Sequence, residues 1–382
     1  MSFAAAAAAT AAPPPPSPHL TRPPPPSTFR AHLEASLAAL GLDRVDLFSF
    51  DGVNWRDHIE WITAPGGCLD VVREFQASGR IGHIGFSSHA MTDVVIETIE
   101  TGVFDFVDLH YQWCGSYTAS GAGDRPNYAY EANYAAVQAA AELDMGVIIS
   151  SPYEKGGLVT RPSSKIASLC GPECTPVEYA SLFLWADPKI HTLTVDPSVS
   201  QDLDEHIAAL AKRPIAETIM VGIEKRLRSA RIATLGVEFA DSWHIGVPDC
   251  YSPQTPNAMH LSYVVWLWTL VKAYGLSDFA QQMYAPLVRN RRRWDEMYFP
   301  GADACAIRRK VPMDYAPGCN YSPADAKDAR AALERCACPP DNIEVVMQAL
   351  QEMYDWFAPE GDRNACPLPD GCGAAYDLAT TH

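Results

Sequence analysis

GRIGHIGFSSHA, residues 79–90, is the stretch on which the reading of this chain turns. Ile81, Ile84 and Phe86 stand among glycines and then give way to the small polar run Ser87, Ser88, His89. A strand covered on both faces is apolar along its length, and small polar side chains at its end are what a ligand would meet. Just before it, Cys68, Val71, Val72 and Phe75 fall at i, i+3, i+4 and i+7, the stripe of an amphipathic helix.

The same unit recurs on either side. RVDLFSF (44–50) is a short β-rich run, and Met91, Val94, Val95 and Ile99 share a helical face after the second strand. FDFVDL (104–109), a helix over Glu131–Leu143 and GVII (146–149) follow. The next helix opens at Thr175-Pro176-Val177-Glu178, where an N-cap threonine, a proline at the first helical position and a glutamate at the third make a capping box. The fifth strand is His191–Val195, with a helix over Ser200–Ala211 behind it. Strands alternating with amphipathic helices predict parallel βα units, an α/β fold. Five of them suit a doubly wound sheet or an incomplete (β/α)8 TIM-type barrel, and no strand is followed by the G-x-G-x-x-G that a Rossmann unit would carry.

Polar residues gather just past the strands: Asp51-Gly52-Val53-Asn54, Ser87-Ser88-His89, His110-Tyr111-Gln112, Ser150-Ser151-Pro152 and Asp196-Pro197-Ser198. In a barrel these ends share the face that carries active sites. The same residue types also cap ordinary loops, so it is five in succession that point to a site.

The totals limit the partners. The chain has 382 residues and a net charge of −17, so nucleic acid and anionic membrane surfaces are not expected partners. The cluster Arg289, Arg291, Arg292 and Arg293, with Asp295 and Glu296 after it, reads as a solvated helix end. No apolar run approaches the roughly 20 residues of a spanning helix. Eleven scattered cysteines form no regular framework and fit a reducing, cytoplasmic compartment.

Residues 1–28 are an Ala/Pro-rich leader read as disordered, with a composition that also permits an organelle transit peptide. The barrel-like part spans 29–212. Residues 213–382 are helical in pattern, including HLSYVVWLWTLVKAYGL (260–276), DNIEVVMQALQEMYDWF (341–357) and a helix starting after Ser322-Pro323. A ferredoxin-type cluster needs C-x2-C-x2-C-x3-C-P. This region offers Cys250, Cys305, Cys319 and the pair Cys336-x-Cys338-Pro339 instead. No metal site and no iron–sulfur cluster is expected, and the cysteines read as buried thiols.

The order and spacing of FRAHLEASLAALGLDRVDLFSFDGVN (29–54), LDVVREFQASGRIGHIGFSSHA (69–90), FDFVDLHYQW (104–113), MGVIISSPYEKGGL (145–158) and TPVEYASLFLWADPKI (175–190) resemble the aldo-keto reductase family, in the branch with a C-terminal ferredoxin-like extension. The resemblance implies a (β/α)8 barrel that binds NADP or NAD and reduces a small-molecule carbonyl. By position, Ser87 and Ser88 stand where the family grips the nicotinamide carboxamide, and Asp108 where a glutamine completes that grip. Ser150 takes the place of a stacking tyrosine. Ser151, Gly156 and Gly157 match the loop beside the pyrophosphate, and Glu205 and His206 match the pair near the adenine.

The chain departs from the family in its acid–base set. Asp51 stands where the family ends a strand with histidine, and a carboxyl group donates a proton at neutral pH only when burial raises its pKa. The family's aspartate, tyrosine and lysine belong to strands that would precede residue 29, which leaves Tyr111 and Lys155 as substitute proton donors. Asp202 falls where a basic residue usually meets the adenosine 2′-phosphate. Five units cannot close an eight-stranded barrel, so the strands at 44–50 and 191–195 are expected as open edges. A truncated product, completion by homo-oligomerisation through those edges, or a remnant retained for binding would each account for that. The expected function is an NAD(P)-dependent oxidoreductase acting on a carbonyl or alcohol. The alternative is a non-catalytic binding or assembly protein on a reductase scaffold.

Overall fold

The computed structural model describes residues 25–116, 118, 133–153, 162–195, 197, 200, 202–250, 252, 254–297 and 318–358. They fall into two compact units. Unit 1 runs to His110 and takes back Asn133–Ser150 and Lys189–Leu193; unit 2 holds Tyr111–Ala132, Ser151–Pro188 and the chain from Thr194.

In unit 1, helix α1 (Pro26–Leu40) starts on proline in its first turn and stops at Gly41, whose φ of 64° suits glycine. Pro26, Ser27 and Thr28 therefore belong to a helix, not to the leader expected over 1–28. That leader read proline content as disorder, whereas proline at a helix start is pre-organised for it. Then come β1 (Val45–Phe50), α2 (Arg56–Thr63), α3 (Cys68–Ala77), β2 (Ile81–Ser88), α4 (Thr92–Glu100), β3 (Phe106–His110), α5 (Tyr134–Glu142) and β4 (Gly146–Ser150). The short strand β5 (Thr192–Thr194) completes the sheet.

The strand order is β1-β2-β3-β4-β5, and β1 to β4 are parallel. A doubly wound sheet reverses direction at a switch point; this one never does. Sequential winding is that of a (β/α)8 barrel, here as five strands.

Pairing register sorts the side chains. Phe48 faces Ile84, Phe50 faces Phe86, Phe86 faces Val107, Ser88 faces Leu109, and Val107 and Leu109 face Val147 and Ile149. These apolar residues are all buried, under α3 and α5 and against Phe29 of α1, whose ring stacks on Phe50 at 5.9 Å. The other face pairs Ser49 with Gly85, Ser87 with Asp108, Asp108 with Ile148 and His110 with Ser150. Alternation on a pleated strand thus sends the apolar set to the helices and the polar set to the opposite side. β2 runs two residues past the strand end expected at Phe86, so Ser87 and Ser88 lie within it and face opposite ways.

Unit 2 is helical: α6 (Ser164–Cys170), α7 (Pro176–Trp185), α8 (Asp202–Lys212), α9 (Ala216–Leu235), α10 (Val237–Ser242), α11 (Leu261–Tyr274), α12 (Ser277–Met297), α13 (Ala326–Arg335) and α14 (Pro340–Phe357). Every residue of α11 except Lys272 is buried, as an all-round apolar helix requires, and α9, α12 and α14 pack around it. Lys272 directs its ammonium to Glu352 at 3.3 Å. The compact units do not divide at 212/213 as the sequence suggested. Although α6 and α7 follow β4 in the chain, they pack with α9, so unit 2 recruits them. No helix among the described residues is long and apolar enough to cross a membrane.

Candidate functional site

The polar face of the sheet in unit 1 ends in a cluster. Ser87 Oγ donates to Asp51 Oδ1 at 2.7 Å and accepts from the Gly52 amide at 3.0 Å, so the turn after β1 is tied to the end of β2. Asp51 is exposed. One strand over, Asp108 is hydrogen-bonded to Ser150, and its Oδ1 is buried with no hydrogen-bond partner among the described residues. Burial pushes the Asp108 carboxyl above its usual range; the Ser150 bond opposes this, and the charge of Asp51 adds to it. A partly buried carboxyl beside a second one, at the C-terminal ends of parallel strands, is where such sheets place reactive groups.

Ser88 does something else. On the helix-covered face, 3% exposed, its hydroxyl donates to the Val53 carbonyl at 2.7 Å and accepts from the Ala90 amide at 3.1 Å. With Asn54 Oδ1 accepting from the His89 amide at 2.7 Å, it pins the 51–54 loop. The end of β3 is held within the unit by Asn133, whose Nδ2 donates to the His110 carbonyl at 2.6 Å.

In unit 2, Tyr111 is buried with its ring 5.7 Å from that of Phe183. Ser151 carries a φ of 50°, an uncommon value for serine. His206 stacks on Tyr153 at 5.0 Å, and the Tyr153 hydroxyl lies 2.6 Å from Ser181 Oγ and 3.1 Å from His206 Nδ1. Burial pushes Tyr153 up to about 12; the Ser181 bond opposes this and the charge of Glu205 adds to it. Lys155, Gly156 and Gly157 lie outside the described residues.

No protein-family model and no curated protein matches the chain. Solved structures do. The chain is similar to the aldo-keto reductase AKR11C1 from Bacillus halodurans. The holo form aligns at 16% identity over 53% of this chain and 67% of that one, with a TM-score of 0.41. The apo form aligns at 16% identity over 53% and 68%, again at 0.41.

Among the described residues the cysteines are buried thiols, and burial pushes Cys170 and Cys338 each up to about 12. No group of three or more His, Cys, Asp or Glu among the described residues is placed to hold a metal ion.

Unit 2 also contains a cavity that sequence reasoning missed. Its volume is about 490 Å³, and its wall includes Trp113, Glu224, Arg231, Trp243 and His244. The indole Nε1 atoms of Trp113 and Trp243, and Nδ1 of His244, are buried there without a hydrogen-bond partner among the described residues. Burial, and then the charge of Arg231, push His244 down to about 4, and burial alone raises Glu224. The one available signal was Glu224, Arg228 and Arg231 at i, i+4 and i+7. A charged helix stripe of that kind ordinarily faces water.

Proposed function

We propose that unit 1 carries the nicotinamide-binding part of an NAD(P)-dependent oxidoreductase of aldo-keto reductase type, acting on a small carbonyl or alcohol. The observation that carries this reading is Asp108 Oδ1, a buried acceptor on the polar face of the sheet without a donor among the described residues. Buried polar atoms in folded chains are ordinarily paired, so an orphan at a strand end marks a place for a ligand donor. A carboxamide carries two N–H donors, and one of them can meet Asp108 Oδ1.

A bound nicotinamide supplies hydride chemistry. The chain's own part is to hold the ring and the proton. Asp108 Oδ1 accepts an amide hydrogen and Ser150 steadies the carboxyl group. Ser87, anchored by Asp51, keeps the adjacent turn in place, and Ser88 acts one layer further out through the 51–54 loop. Ser151, Gly156, Gly157, Glu205 and His206 are assigned to the phosphate and adenosine end. Tyr111 and Lys155 are the assigned proton donors, at the phenol Oη and the ammonium Nζ. Exposed Asp51 lacks the burial that this role would need.

The full chain titrated separately with NADPH and NADH, exciting tryptophan, tests the reading. Saturable quenching with energy transfer to the nicotinamide is expected, weakened about tenfold or more in Asp108→Leu, which removes the acceptor. No saturable change on a chain that circular dichroism shows to be folded would overturn it.

A second reading, a binding or assembly protein on the same scaffold, is favoured by Leu47, which is 43% exposed on edge strand β1.

A further inference from the structure

The described wall of this cavity is built from residues of unit 2, and of them only Tyr111 also figures in the nicotinamide reading. Its size, about 490 Å³, falls within the range of small-molecule sites. Six rings contribute to the wall: Tyr111, Trp113, Tyr179, Phe183, Trp243 and Tyr274. Tyr111 packs on Phe183, and Trp113 makes edge contacts at 5.7 Å with both Tyr179 and Tyr274. Rings held this firmly present preset flat surfaces, which lose little freedom when a flat guest lies against them.

The polar groups in the same wall have one sense. An indole N–H can only donate, and two of them, on Trp113 and Trp243, are buried and unanswered. Trp243 is 1% exposed and Trp113 7%. Arg231, also 7% exposed, lies with its guanidinium carbon 5.8 Å from the centre of the Trp243 ring. Arg228 binds Asp241 through both carboxylate oxygens, at 2.8 and 3.0 Å. Asp241 also feels the charge of Arg231, so two guanidinium groups share one carboxylate. Burial favours the neutral forms of Glu224 and His244. The wall thus offers two buried indole donors beside the Arg231 guanidinium.

We propose that this cavity binds a small, flat aromatic carboxylate, its rings between the aromatic side chains and its carboxylate against Arg231 and the indole N–H of Trp243. A carboxylate accepts from these donors and meets the guanidinium, and a planar body fills the rest.

The test is calorimetric titration of the full chain, without nucleotide, using naphthoate, its uncharged analogue naphthamide, and non-aromatic cyclohexanecarboxylate. Naphthoate is expected to bind saturably, and each of the other two about tenfold or more weakly. Arg231→Gln should weaken naphthoate by about ten- to a hundredfold while leaving naphthamide unchanged. Trp243→Phe, which keeps a ring but removes the N–H, should weaken naphthoate by about two- to tenfold. Absence of saturable naphthoate binding overturns the proposal, as does equal affinity for acid and amide. If Arg231→Gln does not fold, the acid-to-amide ratio and Trp243→Phe decide; an unchanged naphthoate affinity in folded Trp243→Phe also overturns it. Because no nucleotide is present, the result is separate from that of the nicotinamide titration.

Discussion

The ring of Phe106 lies directly over Gly85. A Cβ added at residue 85 would stand 2.5 Å from three of the ring's carbons, closer than real atoms approach. The pair faces the polar side of the sheet, where β2 and β3 run side by side with Gly85 opposite Phe106 in register. Gly85→Ala must push the ring or the strands apart. A loss of about 1–3 kcal/mol is expected from overpacking of this kind, read as a lower urea midpoint at unchanged slope. An unchanged midpoint would mean that the ring moves freely.

Asp108 sets stability against binding. Because its pKa in the fold is raised above the ordinary 3.8, the folded chain holds that proton more tightly than the unfolded chain. Its contribution is favourable below the ordinary value and is lost as pH rises through the raised one. Asp108→Asn should therefore melt at a higher temperature than the parent chain at neutral pH, with the difference closing on acidification. Thermal melts of both chains across that range check the sign.

His244 runs the other way. Burial and Arg231 lower it from 6.5 to about 4, so the unfolded chain binds the extra proton first as pH falls. Stability from this group is intact above pH 6.5 and is lost progressively toward pH 4. The full shift corresponds to about 3 kcal/mol, and allowing for the ring's partial exposure leaves roughly 2 kcal/mol. His244→Gln should flatten that part of the stability–pH curve relative to the parent. Parallel curves would refute it.

The capping box at the start of α7 is complete: Thr175 Oγ1 accepts from the Glu178 amide at 3.2 Å, and Glu178 Oε2 accepts from the Thr175 amide at 2.8 Å. Lys212 of α8 adds its ammonium to the same Glu178 oxygen at 2.5 Å. Thr175→Ala should lower stability by about 1 kcal/mol. Glu178→Ala should lower it by more, since it also strips Lys212 of its carboxylate. Denaturant titration of the two variants gives the order directly.

Leu47 is exposed on edge strand β1, where unpaired backbone groups can template another chain. If homo-oligomers form through this edge, Leu47→Lys should shift the mass measured by light scattering toward monomer at equal concentration. A mass insensitive to the substitution places any self-association elsewhere.

Much of the secondary structure could be read from the chain because its rules are local. The stripe Cys68, Val71, Val72, Phe75 reports α3, the apolar runs report β1 to β4, and Thr175-Pro176-x-Glu178 reports the start of α7, each within a few residues. Strand ends shifted by one or two positions, which was enough to matter for Ser87 and Ser88. With a side-chain period of 2, neighbouring serines serve opposite faces. One joins the polar cluster and the other is buried holding a loop.

The sequence by itself determined the alternation of strands and helices, the buried character of α11 and the acidic balance, since these follow from periodicity and composition. Tertiary structure alone decided that α6 and α7 join unit 2, that Asp108 keeps a buried oxygen without a donor, and that Trp113, Arg231, Trp243 and His244 wall one cavity. Trp113 stands more than a hundred positions before the other three in the chain. Burial and charge depend on distance in space, which no local pattern encodes.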